Sequence, residues 1–164
     1  MPLFNMAELR AAIAPGVRLI GLDPGSRVIG VALSDVSLML ASPYGSLARG
    51  KLAGNAREIR AVADQEGAGG VVVGLPLLLD GSVGPAAQAA RDWTHALSRA
   101  TGLPAALWDE RLSSAAVNRF LIAEADMTRK RRSEVVDKMA AAYVLQAALD
   151  GSRVAPSPLP LWDG

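Results

Sequence analysis

Short apolar runs alternate with helical repeats along this chain. Val17 to Leu22 and Val28 to Leu33 are rich in branched aliphatic residues and are separated by Asp23-Pro24-Gly25-Ser26-Arg27. Proline fixes φ and glycine accepts positive φ, so the linker predicts a turn and the two runs a β-hairpin. A third strand is expected from Leu40 to Tyr44, or a few residues further. From Asn55 to Glu66 the apolar positions recur at helical spacing, with Ile59, Val62 and Ala63 on one side, and Gly67, Gly69 and Gly70 end the segment. Val71-Val72-Val73 reads as a buried strand closed by Gly74 and Pro76, and residues 77–84 as a loop. An alanine-rich helix is predicted from Pro85 to Arg99, a fifth strand from Pro104 to Trp108, a helix from about Ser114 to Ala125, and a last helix from about Ser133 to Leu149, stopped by Gly151.

This order predicts an α/β domain whose sheet is mixed: antiparallel at its start and parallel where helices cross over. Before it, Asn5-Met6-Ala7-Glu8 has the spacing of a capping box and predicts a short helix ending before Pro15. After it, Pro156, Pro158 and Pro160 predict an extended tail. The chain thus divides into an N-terminal extension (1–16), a domain (17–150) and a proline-rich tail (151–164).

Composition narrows the chemistry. The chain has 164 residues, 51% of them hydrophobic, which suits one folded domain with its own core. It has no cysteine and a single histidine, His95, so disulfides, thiolate chemistry and multi-histidine zinc sites are excluded. The 17 basic and 16 acidic residues nearly cancel, so any charge-based recognition must come from local placement. No apolar run is long enough to span a membrane, and the first residues do not read as a signal peptide, so the cytoplasm is the expected compartment.

Three acidic positions fall at element ends. Asp23 closes the first strand, at the mouth of the sheet. Gly25 lets the backbone turn there, and Gly30 across the hairpin leaves room for a ligand or another segment. Asp109-Glu110 directly follows the fifth strand. The first, fourth and fifth strands of a parallel arrangement end at one edge, where open α/β sheets bind ligands. Asp23 and either Asp109 or Glu110 are therefore expected to be neighbours, with Arg111 holding a carboxylate or touching a phosphate. Asp137 is expected in the first turn or so of the last helix, on the face shared by Ala140, Ala141 and Val144, where an acid needs a cation or backbone donors. The plainer readings are an Asx turn, a surface ion pair and a favourable first-turn acid. Taken together, carboxylates without histidine or cysteine suit Mg²⁺ or Mn²⁺, ions that can activate water and stabilise a leaving oxygen in phosphodiester cleavage.

Arg129-Lys130-Arg131-Arg132 is expected just ahead of that helix. A basic run is often only a solvated segment, but beside an acidic cluster it suits a nucleic-acid backbone. No aromatic residue interleaves it, so no base-stacking platform is expected. In the loop after the fourth strand, Gly74-Leu75-Pro76 and Asp80-Gly81-Ser82 lie at the same sheet edge. Ser82 or backbone NH groups there are candidate phosphate contacts, although the segment is not a Walker A loop.

Four motifs in order carry a family resemblance: Leu22-Asp23-Pro24-Gly25 with Gly30-Val31-Ala32-Leu33-Ser34-Asp35; Gly74-Leu75-Pro76 with Asp80-Gly81-Ser82; Trp108-Asp109-Glu110-Arg111-Leu112-Ser113-Ser114; and Val136-Asp137-Lys138-Met139-Ala140-Ala141 followed by Val144-Leu145-Gln146. Over about Val17 to Asp150 the chain resembles the YqgF/RuvX family of RNase H-like proteins. The resemblance implies an RNase H-like fold, a mixed five-stranded sheet with flanking helices, and a metal-dependent nuclease processing the 5′ end of pre-16S rRNA. It implies Asp23, Glu110 or Asp109, and Asp137 as the metal-binding acids. Arg111, Lys130, Arg131, Arg132 and Ser82 are the candidate substrate contacts, and RNA is favoured over DNA through the resemblance alone. The related junction resolvases carry a glutamate at the end of the fourth strand. Here that position is Gly74-Leu75-Pro76, so the middle acid must come from the fifth strand. The alternatives are a Holliday junction-resolving DNA endonuclease, which needs a dimer, and a non-catalytic RNA-binding ribosome-assembly module. Monomer and homodimer both remain open. An actin-class ATPase shares the opening hairpin but needs roughly twice this length.

Overall fold

The computed structural model describes residues 3–112 and 129–153, with the backbone alone for residues 112 and 129–137. The elements are α1 (Met6–Ala12), β1 (Arg18–Pro24), β2 (Val28–Ser34), β3 (Ala41–Ala48), α2 (Leu52–Glu66), β4 (Ala68–Leu75), α3 (Pro85–Thr101), β5 (Ala105–Asp109), a 3₁₀ turn (Glu110–Leu112) and α4 (Arg129–Gly151). The helix expected over 114–125 and the tail beyond Arg153 lie outside the described residues.

One five-stranded sheet has the order β3-β2-β1-β4-β5. β1 pairs antiparallel with β2, placing Asp23 opposite Gly30, and parallel with β4. β4 in turn pairs parallel with β5, with Gly74 beside Trp108. The mixed sheet read from the sequence is therefore the observed one. Its central strands are covered on both faces, which is why they read as continuous apolar runs with little alternation. On one face, Ile20, Leu22, Val71 and Val73 pack with Ile59 of α2 and Leu97 of α3. On the other, Leu19, Val72 and Ala106 pack with Leu9 of α1 and with Leu145 and Leu149 of α4. β3 is an exposed edge, and it carries Pro43, a residue that edge strands tolerate.

One element is as expected and one departs from expectation. The short helix before Val17 forms where expected, and it packs into the core. The capping box forms, with Asn5 Oδ1 accepting from Glu8 N at 2.8 Å and Glu8 Oε1 from Asn5 N at 3.0 Å. The helix it starts is only two turns long, yet its Leu9 is fully buried, Phe4 N donates to Ala105 O, and Arg10 donates to Leu149 O. The departure is α4, which begins at Arg129, four residues before the expected start. The basic run is thus its first turn, and Asp137 is the ninth residue of the helix. The helix-end stabilisation expected for Asp137 does not apply, because that effect fades beyond the first turn.

Candidate active site

Strand alternation decides which side chains meet. Leu19, Gly21 and Asp23 are two residues apart and share the α4 face of β1. At Gly21 that helix rests directly on the strand: a Cβ there would lie 2.7 Å from Leu145 Cβ and 3.0 Å from Ala141 O. Asp23 is the next residue on this face, at the C-terminal edge of the sheet, and is only 6% exposed.

On β4, Val72 and Gly74 face the same way. A Cβ on Gly74 would lie 2.9 Å from both Cγ and Oε1 of Glu110. Glu110 therefore lies across Gly74, in the space that a side chain at the end of β4 would fill. The acid from beyond the fifth strand takes the room left by the glycine of the fourth. Asp23, Gly74 and Glu110 line one cavity of about 450 Å³, bounded by the hairpin turn (Pro24, Gly25, Ser26) and by α3.

The pair left open by the sequence separates clearly. Asp109 does not share this cavity lining. Its carboxylate accepts from Arg111 Nη2 at 2.7 Å, from Nε at 3.1 and 3.2 Å, and from the backbone N of Arg111 at 3.0 Å. The Arg111 guanidinium holds the Asp109 carboxyl below the usual carboxylate range, and Asp109 in turn raises Arg111. Arg111 Nη1 also donates to Leu79 O at 3.2 Å, which ties the exit of β5 to the loop after β4. Within that loop, the hydroxyl and backbone N of Ser82 both donate to Asp80 Oδ1, at 2.6 and 2.9 Å, lowering the Asp80 carboxyl. Ser82 thus closes an Asx turn, and the carboxylate of Asp109 is bound to a neighbour.

Lys130, Arg131 and Arg132 lie in the first turn of α4, and Asp137 in its third. Their side chains lie outside what is described. The backbone still fixes a direction. Gln146 accepts from Ala41 N and donates to Met39 O, at the Ser34 end of β2, so the later turns of α4 lie over the start of β1. Position 137, one turn before Ala141, therefore lies towards the Asp23 end. Among the described residues no group of three or more acids or histidines gathers as a metal cluster. Asp23 and Glu110 supply two carboxylates, and oxygen donors alone fit a hard divalent ion.

The sequence reading passed over two lining residues, Arg49 and Trp93. Trp93 continues a helical stripe with Ala86, Ala89 and Ala90 that faces the cavity, a spacing visible in the sequence. Arg49 had no such signal. It arrives because β3 runs on to Ala48, and Arg49 N then donates to Arg27 O.

The sequence model of the RuvX family, described as Holliday junction resolvase, matches residues 17–151. The chain belongs to the RuvX family. A relative from Gluconacetobacter diazotrophicus, named "Putative pre-16S rRNA nuclease", is 66% identical over 152 residues, 93% of this chain and 99% of that one. One of the same name from Rhodospirillum rubrum is 53% identical over 92% of this chain and 93% of its own. Among solved structures, RuvC of Thermus thermophilus in complex with a Holliday junction substrate superposes with a TM-score of 0.51, covering 82% of this chain and 94% of that one at 14% identity. That likeness concerns the fold, which is RNase H-like, as the motifs of this RuvX chain implied.

Proposed function

We propose that this RuvX protein is a metal-dependent phosphodiester hydrolase that processes the 5′ end of precursor 16S rRNA. The observation that carries the reading is the meeting of buried Asp23 with Glu110 in one cavity at the C-terminal edge of the sheet. Support for the substrate comes from the names of relatives 53% and 66% identical over nearly the whole chain. Asp23 and Glu110 would hold a Mg²⁺ or Mn²⁺ ion, with Asp137 as the third acid. Bound there, such an ion supplies Lewis-acid charge that acidifies water and offsets charge on the phosphate oxygens. Asp23, desolvated at the sheet edge, is positioned by β1, and Glu110 by its seat on Gly74, so neither need reorganise to act. Lys130, Arg131 and Arg132 would draw in the nucleic-acid backbone. Arg111, bonded to Asp109, would order the loop that carries Ser82 beside the substrate. No described helix is long and apolar enough to cross a membrane, and the site of action would be the cytoplasm, where the ribosomal precursor is made.

A second reading, cleavage of four-way DNA junctions, draws on the family description. The test is cleavage of labelled 5′-extended 16S leader RNA in Mg²⁺ or Mn²⁺, beside a four-way DNA junction, with wild type, Asp23→Asn and Glu110→Gln. Metal-dependent RNA cleavage lost in both variants is the expected result. Junction cleavage alone would transfer the reading to the resolvase. Cleavage surviving both substitutions would overturn the site, and folded protein inert on both substrates would overturn the enzymatic reading in favour of RNA binding.

A further inference from the structure

We propose that Arg49, held against the Trp93 indole, is the phosphate-binding cation of the Asp23/Glu110 cavity and takes the nucleic-acid phosphate next to the one being cut. The proposal rests on the nuclease reading above and adds a substrate contact to it. Two carboxylates repel a phosphodiester; a cation held between them would offset this at the phosphate being cut, and the neighbouring phosphate needs positive charge of its own. Arg111 does not supply it, since its guanidinium is bonded to Asp109 and Leu79 O. Arg49 lines the same cavity and has no carboxylate partner among the described residues.

Its position is fixed from three sides. The backbone N of Arg49 donates to Arg27 O at 2.8 Å. Its Nη1 donates to Gly25 O at 2.8 Å, two residues beyond Asp23. Its guanidinium carbon lies 5.7 Å from the centre of the Trp93 ring. Stacking on an aromatic face and one backbone bond restrain a long side chain while leaving most of its five N–H donors for an oxyanion. Restraint before binding lowers the entropic cost of gripping the ligand. Opposite the hairpin, Ala86, Ala89 and Ala90 present only methyl groups, and the cavity of about 450 Å³ is within the size range of small-molecule sites. One nucleotide unit, with a phosphate at Arg49 and the adjoining one at the acids, suits that space. Trp93 is a positioning residue in this scheme: it acts through Arg49.

The test is equilibrium binding of a fluorescein-labelled single-stranded RNA of about twelve nucleotides in Mg²⁺, spanning two or more phosphate contacts. It is done on the Asp23→Asn background so that the probe survives. Adding Arg49→Ala should weaken binding about tenfold near 0.1 M salt and reduce the slope of log K against log salt by about 0.7. Arg49→Lys should restore the slope but only part of the affinity, because the stacked fork is lost. Trp93→Phe should bind within about twofold and Trp93→Leu should bind more weakly at an unchanged slope, since the ring orients the charge without carrying it. Folding of each variant is read from circular dichroism and Tm. An unchanged affinity in folded Arg49→Ala protein overturns the proposal, as does weakened binding with an unchanged slope, which marks a mere clamp on the hairpin. Probe cleavage by the Asp23→Asn background overturns the assignment of the acidic site instead, and failure of that background to bind RNA at all overturns the nuclease reading.

Discussion

Replacing Gly74 with alanine adds one methyl group where Glu110 now lies. The new Cβ would sit 2.9 Å from Glu110 Cγ and Oε1, whereas ordinary contacts of this kind begin at 3.4 Å. Glu110 must then retreat by about 0.5 Å, which is the tolerance within which a reacting constellation must be held. Displacements approaching 1 Å cost on the order of 10²-fold in rate, so kcat/KM should fall roughly 10- to 100-fold. The fold should bear the change. A glutamate at an open cavity can swing, and alanine is favoured over glycine within a strand by roughly 0.5–1 kcal/mol, which offsets part of the overpacking. The assay is steady-state cleavage of the leader RNA beside thermal unfolding: the rate should drop while Tm stays within about 4 °C of wild type. Gly74→Ala protein with full activity and an unchanged Tm would refute the reasoning, because the seat of Glu110 on Gly74 would then be irrelevant to the chemistry. Collapse of the fold would refute it differently, by showing that the glycine serves the sheet and not the acid.

Three further outcomes follow from the packing and the charges. Gly21→Ala drives a methyl into Leu145 Cβ and the Ala141 carbonyl, neither of which can swing aside, so it should cost roughly 1–3 kcal/mol and lower Tm in calorimetry without a specific loss of RNA binding. Leu9→Ala should cost about 2–5 kcal/mol in urea unfolding, as for any fully buried leucine, and a surface-like loss below 0.5 kcal/mol would contradict the packing of α1 into the core. Asp109 has its folded pKa lowered, chiefly by Arg111, so its contribution is present above the unfolded value and is lost as pH falls through the folded one. Stability measured from pH 6 down to 2 should therefore fall less steeply in Asp109→Asn than in wild type below about pH 4. Cleavage by that variant should change far less than in Glu110→Gln.

The strands and the edge they share were readable because each physical signal was local. Branched runs, Pro24-Gly25 and the glycines after Glu66 all carry their meaning within a few residues. The capping box at Asn5 was equally plain, but its consequence was not. Whether a two-turn helix is an appendage or part of the core depends on Leu9 joining the cluster of Leu145 and Leu149, residues far along the chain. The choice between Asp109 and Glu110 was hidden for the same reason. Asp109 is the last residue of β5 and Glu110 the first of the 3₁₀ turn, and only the way that turn closes over the vacancy at Gly74 brings Glu110, and not Asp109, into the cavity that Asp23 lines. Arg111 was legible as a residue that either holds a carboxylate or touches a phosphate, because an arginine beside two acids can serve either. The bonds to Asp109 and Leu79 are set by how the turn after β5 closes. The start of α4 was misread by four residues because Arg129 to Arg132, four strong helix formers, carry no apolar periodicity to mark their turn.

The order of the strands in the sheet has a consequence for how the protein is made. Asp23 and Gly30 belong to a hairpin that can close within microseconds of emerging. Glu110 is synthesised 87 residues later, and it reaches Asp23 only after β4 and β5 have each docked in parallel through a crossover helix. A ribosome adding about 5–20 residues per second needs several seconds to cover that distance. Throughout that time the growing chain carries half of its acidic pair. The carboxylate pair that lines the cavity is thus completed only late in synthesis, after both crossover units have docked.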